Sequence, residues 1–119
     1  MLEKTGTRFL SQEFQFNTIY GETLIHKGMT DDAERVLNLA FENENISSET
    51  DKFYGYVSRA DVDVALEKYD EALKNCREAL KIPNQNSNRG LLKKCKCLHL
   101  ESVANEKNGK VEEGKKQKN

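Results

Sequence analysis

The residues best placed for chemistry are Cys95, Cys97 and His99, a C-x-C-x-H string of thiol and imidazole donors. Such groups are the usual zinc ligands, and a structural zinc site needs four that converge. On a helix, residues two apart diverge by about 200°. Only Cys95 and His99 then share a face, so the string predicts no metal centre. Asp61 and Asp63 fail as a carboxylate pair for the same reason. His26 precedes Gly28, near the C-terminus of a predicted helix, where the dipole favours a cation. The sequence has no glycine-rich phosphate loop, and no Ser/His/Asp or Cys/His arrangement is supported locally. We expect a noncatalytic protein without metal or cofactor.

Charge is the remaining chemical asset. Residues 1–51 carry 4 Lys and Arg against 10 Asp and Glu, whereas residues 52–119 carry 15 against 10. The basic excess lies from Arg89 onward. Such an asymmetry can steer a partner of mixed charge. Nucleic acid is a poor fit, because the lysine-rich tail interleaves Glu112 and Glu113 and has no aromatic residue for stacking. No apolar run approaches the roughly 20 residues of a membrane span. The N-terminus lacks the apolar block of a signal peptide. Three cysteines, an odd number, argue against a disulfide framework. We therefore expect a cytoplasmic protein.

The elements that must position these residues read as helices. No segment shows sustained two-residue alternation, so no sheet is expected. A first stripe, Phe16, Ile19, Tyr20, Leu24 and Ile25, spans about Ser11 to Lys27, and Gly28 stops it. Thr30 offers an N-cap to a second helix carrying Ala33, Val36, Leu37, Ala40 and Phe41. ENENISSET reads as a loop, and Ser48 with Asp51 resembles a capping box for a third helix with Phe53, Tyr56, Val57, Ala60 and Val64. A fourth, KYDEALKNCREALKIP, turns in Tyr69, Ala72, Leu73, Cys76, Ala79 and Leu80, and Pro83 closes it. The fifth runs from about Asn88 to Glu106, with Leu91, Leu92, Cys95, Leu98 and Val103 inward. Asn108-Gly109 then predicts a turn.

Small residues recur at fixed places. Gly21 and Gly28, Ala33 and Ala40, and Ala72 and Ala79 are each seven apart, and Ala33 to Ala72 is a shift of 39. That is about one 34-residue unit with a short insertion. Small positions let helices approach closely. On GETLIHKGMTDDAERVLNLAF and KYDEALKNCREALKIP, the sequence resembles the tetratricopeptide repeat family. Departures include the absence of Trp, Thr30 where the family has Tyr, and Leu37 and Cys76 at aromatic places.

The resemblance implies an all-α, right-handed superhelix of antiparallel helix pairs, about two and a half repeats long. It divides the chain into an extension (1–13), a first repeat (14–45), a second with a loop insertion (46–87), and an incomplete third repeat or capping helix (88–119). It implies a protein or peptide partner held in a concave groove. Helical geometry places Thr18, Glu22, Ile25, Val57, Asp61, Val64, Arg89, Lys93 and Lys96 there. We expect that groove to be acidic and apolar at one end and basic at the other. The carboxylate clamp of co-chaperones of the family is mostly missing, since Thr18, Glu22 and Ser58 stand at its Lys, Asn and Asn places. The alternative is one end of a larger scaffold or docking complex, cytoskeletal or ciliary, bound edge-on through the last helix.

Overall fold

In the computed structural model the chain forms five helices: α1 (Leu2–His26), α2 (Thr30–Phe41), α3 (Glu49–Ala65), α4 (Tyr69–Leu80) and α5 (Asn88–Gln117). The structure describes residues 2–42 and 48–117, with side chains over 13–42 and 48–110. Most of the ENENISSET loop lies outside the described residues. Among the described residues there is no strand, and no helix is long and apolar enough to cross a membrane.

Local chemistry sets the helix ends. Gly28 adopts φ +78°, the left-handed conformation that glycine reaches without a Cβ penalty. The Met29 N–H then bonds the Leu24 carbonyl at 2.9 Å and the Gly28 N–H bonds Ile25 at 2.9 Å, a Schellman closure. Ser48 caps α3 by accepting from the Asp51 N–H at 3.1 Å. Thr30 is the first helical residue rather than the cap; Met29 holds that position without a side-chain bond.

The turn between α3 and α4 has no glycine. Glu67 itself takes φ 61°, and Lys68 N–H closes on the Asp63 carbonyl at 2.7 Å. The geometry matches the Gly28 turn, but a side chain in the left-handed region costs about 1–2 kcal/mol. Glu67→Gly is therefore expected to raise stability by about 1 kcal/mol, a gain of a few degrees in melting temperature. An unchanged or lower midpoint in a thermal melt would contradict the strain.

Each helix packs on the next, and α3 also packs against both α1 and α5. Glycines permit the closest approaches. A Cβ on Gly21 would lie 2.8 Å from Leu37 Cγ, and one on Gly55 would lie 2.8 Å from Phe14 Cζ. One apolar cluster joins Leu24, Ala33, Leu37 and Val62. A second joins Phe53, Val57, Ala60, Cys76, Ala79, Cys97 and Leu100. Alanines on α4 face inward, as their spacing predicts.

Three expectations fail. The proposed extension 1–13 is not separate, because α1 runs through it from Leu2. The turn at Asn108-Gly109 is absent, and α5 continues to Gln117. Asn108 Nδ2 bonds Asp70 Oδ1 at 3.1 Å, and Lys110 pairs with Glu106 one turn back at 3.1 Å. A glycine inside a helix costs only about 1 kcal/mol, so these contacts and the unbroken backbone ladder carry the helix onward. Finally, the two outer helices turn outward most of the apolar residues expected inside, although Leu24 is buried as expected and Ile25 and Val103 are half-buried. α5 buries Gly90, Cys97, Leu100 and Ala104, and exposes Leu91, Leu92 (71%), Cys95 and Leu98. α1 buries Phe14, Thr18, Gly21 and Leu24 but exposes Phe16 (65%), Ile19 and Tyr20. The reason is steric. On α5 the small residues Gly90, Cys97 and Ala104 go inward with Leu100, whereas on α1 Gly21 meets Leu37 and Gly55 of α3 leaves room for the Phe14 ring.

Candidate functional site

Three helices converge on one cleft of about 310 Å³. α1 contributes Phe14, Gln15, Thr18, Ile19 and Glu22; α3 contributes Thr50, Asp51 and Tyr54; α5 contributes Arg89 and Lys93. These positions lie on successive turns of their helices, so regular geometry alone aligns them. The start of α5 is fixed by Ser87, whose hydroxyl accepts from the Gly90 N–H at 3.0 Å. Gln85 is buried beneath it, with Nε2 3.3 Å from Thr50 Oγ1. That bond ties the loop before α5 to the first turn of α3.

A polar network forms one wall. Ser58 Oγ donates to Glu22 Oε1 at 2.5 Å, and Lys93 Nζ donates to the same oxygen at 2.9 Å. Burial pushes the Glu22 carboxyl up, but the Ser58 hydroxyl and the Lys93 ammonium outweigh it and hold the carboxyl below its usual value. Further along, Lys96 Nζ pairs with Asp61 Oδ2 at 2.8 Å. The expected gradient from acid to base is therefore not there. Glu22 of α1 and Asp61 of α3 instead close directly on Lys93 and Lys96 of α5.

Arg89 differs from these lysines. Its guanidinium lies 4.7 Å from the Tyr54 ring centroid, a cation–π contact that leaves its donors toward solvent. No carboxylate lies within ion-pair distance of it among the described residues.

The nine expected groove residues thus divide. Glu22, Arg89 and Lys93 line the cleft, and Asp61 and Lys96 form the neighbouring pair. Thr18 touches the cleft but is buried, and its hydroxyl is used on the Phe14 carbonyl at 2.8 Å. Val57 is fully buried among Phe53, Cys76 and Cys97 and cannot meet a partner. Val64 and Ile25 are half-buried and pack against the core clusters. For these three the β-branched side chain serves packing. Sequence reasoning missed Tyr54, Gln15 and Asp51. Tyr54 is three before Val57 and seven before Asp61, so the α3 face could have revealed it.

A second cleft, between α2, α3 and α4, holds the buried carboxylate of Asp63, which accepts from Asn75 Nδ2 at 2.7 Å. Beside it Lys68 pairs with Glu34 at 2.6 Å, and Arg59 bonds Asn38 at 2.9 Å. Most polar groups here are spent on one another, so this cleft reads as a structural joint. Among the described residues no cluster of three or more His, Cys, Asp or Glu could hold a metal ion.

No protein-family model, curated protein or solved structure matches the chain. Function must be argued from the cleft itself.

Proposed function

We propose that the chain is a noncatalytic interaction module of the tetratricopeptide-repeat type. In this reading α1, α3 and α5 are the first helices of successive pairs in a right-handed superhelix, and they line a groove for a segment of a partner protein. The observation that carries it is the convergence of these three helices on one open cleft. Its exposed apolar group is Ile19, and its unpaired cation is Arg89. A segment with an acidic residue beside an apolar one fits that pair. Lys93 is already neutralised by Glu22, so Arg89 supplies the attraction. Arg89→Glu is expected to lower the partner retained in quantitative affinity capture by about tenfold or more, the scale of an interface arginine. The melting temperature should fall by only a few degrees, the scale of the lost Tyr54 contact. Undiminished retention would remove Arg89 from the site.

The outer apolar faces favour a second reading. Leu91, Leu92 and Leu98 on α5 are exposed together, and exposed apolar patches mark interaction surfaces. They support edge-on attachment through α5 within a larger assembly. Sedimentation separates the two: a groove module stays monomeric as concentration rises, and an edge-on one associates until Leu92→Glu prevents it.

A further inference from the structure

The geometry points to a redox site between α4 and α5: Cys76 and Cys97 form a reversible intramolecular disulfide that clamps the two helices. Both residues are fully buried. Cys76 Sγ lies 3.5 Å from the Cys97 carbonyl oxygen, and Cys97 Sγ lies 3.6 Å from the Cys76 carbonyl oxygen. This reciprocal pattern places each thiol over the other residue's backbone. Neighbouring core residues are small, with Ala72 and Ala79 on α4 and Ala104 on α5, so the helices cross closely there. Disulfides require that closeness. The proposal stands apart from the groove reading, since neither sulfur touches the cleft.

The chemistry is ordinary exchange with a low-molecular-weight disulfide. The two thiols act on each other's ionisation: contact with Cys97 and then burial push the Cys76 thiol up, while contact with Cys76 lowers the Cys97 thiol, which favours Cys97 as the thiolate. Opening of α5 from α4 admits the oxidant. Cys97 thiolate attacks one sulfur of the external disulfide and expels a thiolate. Cys76 then loses its proton and attacks the Cys97 sulfur of the mixed disulfide, expelling the second thiolate. Two S–H bonds are lost and one S–S bond forms. The two electrons reduce the external disulfide to two thiols. Cys95 is exposed and points away from Cys97 on the helix, so it takes no part.

Native full-length chain incubated with oxidised glutathione is the test, read by non-reducing peptide mapping and a thermal melt. The expected result is a Cys76–Cys97 link, a mass lower by about two hydrogens, and a midpoint higher by about 10 °C that dithiothreitol reverses. Cys95→Ser should form the link as well, whereas Cys76→Ala and Cys97→Ala should not. The wild-type map decides the matter even where an alanine variant folds poorly. Glutathione on Cys95 alone, or a link seen only in urea, would overturn the proposal.

Discussion

Asp63→Asn is expected to raise the melting temperature at pH 7 and to lose that advantage below about pH 4. Burial pushes the Asp63 carboxyl up from 3.8 to about 6, against the opposing hydrogen bond from Asn75 and the charge of Arg59. A raised carboxyl means that the folded state binds the proton more tightly than the unfolded chain does. Its contribution is fully present below pH 3.8 and is lost as pH rises through about 6. At neutral pH the ionised group is therefore a liability on the order of 3 kcal/mol. Asn has the same shape, keeps an oxygen for Asn75, and carries no charge to desolvate. The gain should appear in melts at pH 7, shrink between pH 6 and 4, and vanish in acid. Glu22 acts in the opposite sense. Its carboxyl is held low, so its contribution is lost as pH falls below the usual carboxylate range. A gain from Asp63→Asn that persists unchanged at pH 4 would show that the carboxylate is not the cause.

Phe53→Ala has the larger expected cost. Phe53 is fully buried in the cluster that joins α3, α4 and α5. Removing its ring costs about 3–5 kcal/mol, against a total of about 5–15 kcal/mol for a domain. The melting temperature should fall by more than about 10 °C. Leu92→Ala removes a side chain that is 71% exposed and should change stability by no more than about 0.5 kcal/mol. The pair is diagnostic, because sequence periodicity turns both residues inward and the fold turns only Phe53 inward. A comparable loss in Leu92→Ala would reverse the face assigned to α5.

Local signals were legible in the sequence. Gly28 and Ser48 end and begin helices by chemistry confined to a few residues. The alanines of α2 and α4 mark contact lines because a small residue permits close approach from any partner. The outer helices were not legible, because each carries two apolar faces and only the neighbouring surface selects one. Phe14 and Phe16 sit two apart on α1, and periodicity favoured Phe16. Gly55 and Phe41 instead make room for Phe14, whose ring meets Phe41 edge-on at 5.6 Å. The candidate site was legible in part. Helical spacing found Glu22, Arg89 and Lys93 on a common surface. It could not foresee that Glu22 and Lys93, 71 positions apart, neutralise each other. That pairing depends on how α1 and α5 lean across α3.

The central claim is that a partner segment lies along α1, α3 and α5 and meets Arg89. Ile19 and Leu39 are exposed to the same degree, 54% and 52%, but only Ile19 lines the cleft. The direct measurement places a photo-cross-linking amino acid at each position in turn, in living cells. A groove module should yield one discrete cross-linked partner from position 19, lost in combination with Arg89→Glu, and none from position 39. Equal labelling from both positions, or a position-19 product that survives Arg89→Glu, would contradict the account.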